Sequence, residues 1–579
     1  MKTSQNNPLD HGTDRPEAMD ASGLSRRKFL GGIGGAAAAA VATSAVGGIA
    51  IEPLVNAAAT AEAANTNSYM THRRNRSWQL RKETADYWKA VGMPQHPVNG
   101  DETRFANRIG NFSKGLPHNS FGEVDANAYQ SLLDAIDSGN PADYDSIILD
   151  GPNKLTSPQG GLAFDLEGAD SHALAVPAPP SITSGEMAGE GVEHYWMKLL
   201  LDVNFLDYNS HADAAAASAN LNQFGAEFKG PKAGGQVTPQ TLFRDVLPGT
   251  TVGPYISQFM WMNTPFGTEY VERRQRTLLP DTSHLTNYGN WLATQNGYFP
   301  ESSAADFDPV RRYIRTGRDL AQWVHIDVLF QAYFNACLIL GTPPSSDPLS
   351  GGIGAPPNPG NPYIGNPTQI GFTTFGPPHM KALMCEVASR ALKVTWHKKW
   401  QIHRRLRPEA WGGLVHNQIT SNRYPGIIDA RQLNSPAVAR TFSKYGSYLL
   451  PMVFPEGAPT HPAYTAGHAT VAGACVTILK ALFDESYVIP NPVVPTPDGL
   501  SLEPYTGPAL TVGGELNKIA SNVATGRNIA GVHWRSDSFE SLRVGEALAI
   551  SILRDQRACY NESFNGFTFT KFDGTTVTV

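Results

Sequence analysis

The sequence has little cysteine, and the cysteines it has do not form a metal-binding or haem-binding pattern. Only four occur in 579 residues, Cys337, Cys385, Cys475 and Cys559, and none belongs to a CxxC, CxxCH or zinc-ligand spacing. This scarcity argues against a zinc site and against a covalently attached haem. Four cysteines would allow one or two disulfides, and their spacing does not indicate which cysteines these would join.

The sequence also lacks a basic excess. Charged residues make up 17% of the chain and the formal net charge is −6, whereas surfaces that bind nucleic acid usually carry an excess of Lys and Arg. We therefore expect no nucleic-acid partner. Hydrophobic residues make up 41%, which is typical of a folded globular protein.

The N-terminal region contains a long run of apolar residues, but most of them are small and only weakly hydrophobic. Arg26 and Arg27, in SRRKFL, precede the Ala/Gly-rich stretch GGIGGAAAAAVATSAVGGIAIEPLV. A membrane anchor is the alternative, but Ala and Gly favour insertion far less than Leu or Ile. The pattern predicts a twin-arginine export signal over residues 1–64. We expect a periplasmic or extracellular protein without a stable membrane anchor.

Helical periodicity dominates the rest of the chain. Apolar residues recur at helical spacing in several segments, whereas strand-like alternation is rare. The C-terminal FTFTKFDGTTVTV alternates around Asp573–Gly574 and predicts a β-hairpin. We expect a mainly α protein, a large helical bundle with few short β-hairpins. The predicted helices cover 69–92, 194–225, 316–340 and 379–407, and two more begin at Gly467 and near His533.

Three segments combine cationic side chains with predicted helix ends. They read WHKKWQIHRRLRPEAWGG (396–413), PTHPAYTAGHATVAG (459–473) and ATGRNIAGVHWRSDSF (524–539). Arg offers a planar fork of donors, Lys a point charge, and the backbone N–H groups of a helix start favour an anion. Together these groups suit a tetrahedral oxyanion. The candidate residues are Lys399, Arg407, Gly467, His468, Arg527, His533 and Asp537.

Each of these residues has a purely structural alternative when it is taken alone. Lys399 and Arg407 would also cap the end of a helix, and a single histidine at a helix start is more often structural than catalytic. His533 and Asp537, four residues apart, would also form a surface pair. The order and spacing of the whole set favour the oxyanion interpretation.

The pattern K-x7-RP, then xGH, then R-x5-H-x3-D resembles the vanadium-dependent haloperoxidases and the related acid phosphatases. Seven residues separate Lys399 from Arg407, as in the algal-type bromoperoxidases, whereas the phosphatases and fungal chloroperoxidases usually have six. Trp396 and His461 are also similar to that branch. The similarity is close over about 380–545 and weaker over 318–336. It implies paired four-helix bundles and a single haloperoxidase-like catalytic domain over 65–579, with its active-site half at about 316–555.

The resemblance implies a vanadate cofactor, with one vanadium per subunit bound to a ring nitrogen of His533. It implies that Lys399, Arg407, Arg527 and the backbone amide of Gly467 contact the vanadate oxygens. The resemblance therefore also implies a catalytic role for Lys399.

Four further roles follow from the same resemblance. His468 would act as the acid–base catalyst. His461 would influence that site without contacting the vanadate itself. Trp396 would line the approach of the halide, and Asp327 would pair with Arg527. The resemblance also allows for a structural calcium ion, but no loop of this sequence has a recognisable ligand pattern for it.

The implied reaction is oxidation of bromide, and of iodide, by hydrogen peroxide to a hypohalous acid that halogenates small organic acceptors. The resemblance also implies a homo-oligomer, a dimer or larger. One alternative is an acid phosphatase with His533 as nucleophile and His468 as leaving-group acid. Another is a non-catalytic anion-binding protein whose site has decayed.

One residue departs from the family pattern. Most members have serine immediately before the Gly–His pair, whereas this chain has Ala466. Loss of one donor to a charged group costs about 1.5–3 kcal/mol, which corresponds to a tenfold to hundredfold loss in affinity. Thr465 or water is a candidate substitute.

Overall fold

The computed structural model describes residues 63–304, 306–347 and 349–579, so most of the predicted signal segment 1–64 lies outside the described residues. The described residues fall into two compact units that divide after Glu83. The α-helices are α1 Ala63–Val91, α2 Asp101–Arg104, α3 Ala126–Ser138, α4 Pro141–Tyr144, α5 Gly185–Leu199, α6 Ala212–Asn222, α7 Tyr288–Gln295, α8 Gly317–Trp323, α9 Gln331–Gly341, α10 Pro377–His397, α11 Pro408–Ser421, α12 Ala430–Leu433, α13 Pro436–Tyr445, α14 Gly467–Leu482, α15 Val512–Ala530 and α16 Arg535–Arg557.

Shorter elements complete the described part of the chain. The strands form three antiparallel pairs, and the predicted C-terminal hairpin is confirmed as β5–β6, with Thr568 opposite Thr578. Gly574, in its turn, has a φ of 83°, a conformation that glycine adopts without strain. The 3₁₀ segments are Pro158–Leu162, Ser171–Ala173, Phe205–Ser210 and Gln258–Met260, and the strands are β1 Thr264–Phe266, β2 Glu269–Val271, β3 Val493–Pro495, β4 Leu502–Pro504, β5 Thr568–Thr570 and β6 Thr576–Thr578.

Helix α14 lies at the centre of the core. Most side chains in its sequence, GHATVAGACVTILKAL, are small or apolar, and they occur on every face of the helix. All residues from Ala469 to Leu482 are buried, as expected of a helix surrounded by others. It packs against α10, α15 and α16. A β-carbon at Gly473 would lie 2.0 Å from the Leu542 carbonyl oxygen, and one at Gly545 would lie 2.1 Å from that of Thr470. These two glycines therefore permit the close contact between α14 and α16.

The end of α10 determines where two of the cations lie. The helix passes directly into a π-helical turn, Lys398–His403, which ends at Arg404 in the left-handed region with φ 40°. The backbone is extended at Arg407, and Pro408 occupies the first position of α11, where its missing N–H is not needed. The predicted helix over 379–407 is therefore confirmed up to residue 403.

The prediction of one continuous helix over 316–340 is wrong. The segment forms α8 and α9, joined by residues 324–330. Two side chains of this connection bond elsewhere: His325 lies 2.6 Å from a Glu456 carboxylate oxygen, and Asp327 lies 2.9 Å from a ring nitrogen of His468. These polar contacts stabilise the break, which an apolar pattern does not reveal.

The mainly helical bundle fold is confirmed. Cys337, Cys385 and Cys475 are thiols and form no disulfide. None of the helices in the described ranges is both long enough and apolar enough to cross a bilayer.

Candidate active site

The predicted site residues meet where several helices begin or end. Lys399 lies in the π-helical turn after α10, and Arg407 directly precedes α11. His468 opens α14, Arg527 lies in the last turn of α15, and His533 lies in the connection to α16. The structure thus brings together groups that are up to 134 positions apart in the sequence, counted from Lys399 to His533.

Arg407 connects the histidines of the site. Its Nη1 lies 3.0 Å from Nε2 of His533 and donates to the Val532 carbonyl oxygen at 2.6 Å. Its Nη2 lies 2.8 Å from Nδ1 of His461 and 2.8 Å from the carbonyl oxygen of that residue. Burial, and the nearby charge of Arg527, lower the pKa of Arg407 to about 9.

Lys399 is completely buried, and in the described part of the chain it bonds to backbone carbonyl oxygens rather than to a carboxylate. Its ammonium donates to the carbonyl oxygens of Pro462 at 2.5 Å and Ala463 at 2.9 Å. Burial, together with the charges of Arg407 and Arg527, holds the pKa of Lys399 well below its usual value. Positive charge is therefore in excess around this amine.

Arg527 supplies the third buried cation. Its Nη1 donates to the Val324 carbonyl oxygen at 2.6 Å, and the guanidinium carbon lies 5.7 Å from the centre of the Phe454 ring. Its Nε is buried and has no hydrogen-bond partner in the described part of the chain. A buried donor without an acceptor is costly, so this atom indicates that a ligand oxygen completes the site.

His533 is held from one side and leaves its other nitrogen facing the cations. Its Nδ1 lies 3.2 Å from Oδ2 of Asp537, while Nε2 faces Arg407. Burial and the charges of Arg407, Lys399 and Arg527 hold the pKa of His533 well below its usual value. The imidazole is therefore neutral: Nδ1–H donates to Asp537, and the lone pair of Nε2, which here accepts from Arg407, is the one that would bind an electrophile.

His468 bonds to a carboxylate from the connection between α8 and α9. Its Nε2 lies 2.9 Å from Oδ1 of Asp327. Asp327, the predicted partner of Arg527, bonds to His468 with its carboxylate, and its charge also acts on Arg527. Burial lowers the pKa of His468, although Asp327 opposes the shift. About 18% of the His468 side chain is exposed, so it lies on the open side of the cluster.

His461 and Trp396 form the remaining side of the cluster. Their ring centres are 4.8 Å apart, and the indole N–H of Trp396 donates to the Thr156 carbonyl oxygen at 3.1 Å. Burial and the charge of Lys399 hold the pKa of His461 well below its usual value. The ring is therefore neutral, and it accepts from Arg407 at Nδ1.

The start of α14 offers backbone donors without a side-chain cap. Ala466 occupies the N-cap position and makes no side-chain bond, and its own N–H donates to Oγ of Ser541 at 2.7 Å. The first N–H groups of a helix, beginning with Gly467, have no partner within the helix. The hydroxyl of Thr465 is also buried without a hydrogen-bond partner in the described residues. Both features leave donors available for an anion.

The donor set matches an oxyanion rather than a bare metal cation. Lys399, Arg407 and Arg527 place three positive charges together, while Asp327 and Asp537 are bonded to His468 and His533. Within the described ranges, no group of three His, Cys, Asp or Glu side chains is arranged to hold a metal ion. One unprotonated imidazole nitrogen beside buried cations fits a tetrahedral oxyanion such as vanadate.

The sequence did not reveal two residues behind His533. Arg405 donates to Oδ1 of Asp537 at 2.6 Å and lies 3.3 Å from a carboxylate oxygen of Glu190. All three side chains are buried. Arg405 could have been found, because it lies two positions before Arg407 in an extended segment, where alternate side chains point to the same side. Glu190 lies 215 positions from Arg405, and no local pattern indicates its role.

Comparisons with known proteins agree with this geometry. A family model described as the VCPO second helical-bundle domain matches residues 379–562. The vanadium-dependent bromoperoxidase of Corallina pilulifera is 35% identical over 87% of this chain and 98% of its own length. That of Ascophyllum nodosum is 33% identical over 82% of this chain and 87% of its own.

A solved structure, the homohexameric second vanadate-dependent bromoperoxidase of Ascophyllum nodosum, superposes with a TM-score of 0.82 at 33% identity. The match covers 87% of this chain and 90% of that one. Identity and coverage at this level extend far beyond the motif residues. The chain therefore belongs to the family of vanadium-dependent bromoperoxidases.

Proposed function

We propose that this protein is a vanadate-dependent haloperoxidase that oxidises bromide, and also iodide, with hydrogen peroxide. The product is a hypohalous acid that halogenates small organic acceptors. The observation that carries the proposal is a buried His533 whose Nε2 lies 3.0 Å from Arg407, with the charges of Lys399 and Arg527 near by. These three cations bond to backbone carbonyl oxygens rather than to carboxylates in the described part of the chain.

Four groups would hold the cofactor. His533 would bind vanadium through Nε2, and Lys399, Arg407 and Arg527 would neutralise the oxyanion charge. When bound, vanadate supplies a Lewis-acidic centre that activates hydrogen peroxide without a change in its own oxidation state. The three cations withdraw electron density from the bound oxygens, because charge interactions are strong in a buried site.

His468 would accept the proton of the incoming hydrogen peroxide. Its Nε2 is occupied by Asp327, so the exchangeable lone pair is on Nδ1. Because burial lowers the pKa of His468, the ring is neutral near pH 7 and is ready to accept a proton. The Asp327 carboxylate would then stabilise the imidazolium that forms.

Bromination of phenol red tests the proposal directly. The full-length protein, loaded with orthovanadate, is expected to brominate the dye only when bromide and hydrogen peroxide are both present. His468→Ala should abolish most of this activity. Dye bromination no faster than in the vanadate-free protein would refute the assignment, and rapid release of p-nitrophenol from its phosphate would favour a phosphatase.

We also propose that the protein self-associates and is exported. A solved relative is described as homohexameric, and light scattering of the purified protein should therefore give a mass that is a multiple of the 62.5 kDa chain, less the signal segment. The paired Arg26–Arg27 before an Ala/Gly-rich stretch supports the twin-arginine route. Replacement of both arginines by lysine should retain the protein in the cytoplasm of a bacterial host.

A further inference from the structure

The buried guanidinium of Arg405 bonds to Asp537, the carboxylate that contacts the proposed vanadium ligand His533. Asp537 is completely buried, and its two carboxylate oxygens have different partners. Oδ2 accepts from the Trp534 N–H at 3.0 Å and lies 3.2 Å from Nδ1 of His533. Oδ1 accepts from Nη1 of Arg405 at 2.6 Å. Each oxygen is thereby fixed, and the orientation of the carboxylate is determined by Arg405 on one side and His533 on the other.

Arg405 is itself held at several points. Its Nη1 also donates to Oγ of Ser536 at 2.8 Å, and its Nη2 lies 3.3 Å from Oε2 of Glu190. Glu190 in turn accepts from the Ser536 N–H at 2.7 Å. The guanidinium carbon lies 5.2 Å from the centre of the Trp534 ring. These contacts leave the guanidinium one orientation, with Nη1 directed at Asp537.

This chain of contacts has a chemical consequence at His533. A buried carboxylate needs a cation, because an unpaired buried charge is strongly disfavoured. The cations of the oxyanion cluster do not contact Asp537, and the structure assigns that charge balance to Arg405. With its orientation fixed, Asp537 accepts a hydrogen bond from Nδ1–H of His533, and Nε2 stays unprotonated and accepts from Arg407. A histidine ligand commonly depends on such an outer partner for its tautomer.

We propose that Arg405 is a positioning residue for the oxyanion site, acting through Asp537 to hold His533 in the tautomer whose Nε2 is free. The identity of the ligand rests on the proposed function, whereas the tautomer does not. Arg405 touches neither the ligand nor the reacting atoms, so its replacement should change ligand affinity and ring tautomer together.

A matched ion pair provides the control. Arg535 is also buried, and its Nε lies 2.9 Å from a carboxylate oxygen of Glu193. Glu193 lies one turn after Glu190 on α5. Arg535→Met therefore removes a buried guanidinium from an equivalent pair that does not contact Asp537. Comparison with Arg405→Met separates positioning of His533 from general loss of stability.

Equilibrium dialysis against orthovanadate, with vanadium measured by mass spectrometry, gives the dissociation constant of each variant. Loss of an outer partner typically weakens metal affinity by about 10- to 100-fold, and Arg405→Met should show this weakening. Arg535→Met should stay within about twofold of the original protein. Arg405→Lys keeps the charge but not the fork of donors, and should recover part of the loss.

Nitrogen NMR of protein labelled with ¹⁵N-histidine reports the tautomer without vanadate. The signal of His533 is identified by its absence in His533→Gln. We expect protonation on Nδ1 in the original protein and in Arg535→Met, and a mixture of tautomers in Arg405→Lys or Arg405→Met.

An unchanged tautomer and unchanged vanadate affinity in a folded Arg405 variant would overturn the inference. If Arg405→Met does not fold, Arg405→Lys supplies the same two readouts. If the original protein binds no vanadate, the proposed function fails, and the tautomer measurement alone decides on Arg405.

Discussion

Ala466→Ser should strengthen vanadate binding. Ala466 is the N-cap residue of α14, with φ −81° and ψ 122°, and its side chain is 1% exposed. These dihedrals are typical of an N-cap, where serine is favoured. A serine hydroxyl there can accept from a free N–H of the first helical turn and can still donate its own proton to an anion. The substitution therefore adds both a helix cap and an oxyanion donor.

The two contributions have separate magnitudes and separate readouts. A serine cap stabilises a helix by about 0.5–2 kcal/mol relative to alanine, and this gain is present without vanadate. A donor to a charged group contributes about 1.5–3 kcal/mol, which corresponds to a tenfold to hundredfold lower dissociation constant. Because α14 is central to the core, the cap effect should appear in global unfolding.

Urea unfolding of the vanadate-free protein measures the first effect, and equilibrium dialysis measures the second. Ala472→Ser is the control, because it adds the same oxygen to the same buried helix, away from its start; its hydroxyl can only bond back within the helix. Higher stability with an unchanged dissociation constant would refute the donor argument, because the oxyanion site would then be complete without residue 466.

Three further predictions concern the charges of the site and its surroundings. Asp327→Asn should lower the turnover number by about 10- to 100-fold, because His468 loses the anion that stabilises its charged form; vanadate affinity measured by dialysis should change much less. Lys399→Met should weaken vanadate binding by at least tenfold, yet should not lower the thermal midpoint of the vanadate-free protein. The change removes a cation that burial and the charges of Arg407 and Arg527 disfavour, and this offsets the loss of its bonds to the Pro462 and Ala463 carbonyls. Burial lowers the pKa of Lys398 to about 7, so the free energy of unfolding should rise as the pH increases from about 7 towards 10.5; Lys398→Met should flatten this rise in urea titrations.

The sequence was sufficient for those parts of the fold that depend on local patterns. The small apolar residues after Gly467 predict a fully buried helix, and α14 is one. The alternation around Asp573–Gly574 predicts the terminal hairpin, which β5 and β6 form. In both cases the residues that determine the element are neighbours in the chain.

Long-range polar contacts explain where the prediction fails. Residues 316–340 are apolar enough for one helix, but His325 and Asp327 bond to Glu456 and His468, which are more than 130 positions away. These bonds stabilise a connection that places a carboxylate beside the proposed acid–base catalyst. Glu190 is a second example, because only the folded chain brings it to Arg405.

The spacing of seven residues between Lys399 and Arg407 has a structural explanation. The π-helical turn Lys398–His403 lies within this interval, and a π-turn closes its hydrogen bond over one more residue than an α-turn does. The wider turn takes the chain from α10 to Arg404 without an irregular loop. Lys399 therefore remains beside the loop that carries His461, and Arg407 remains at the start of α11.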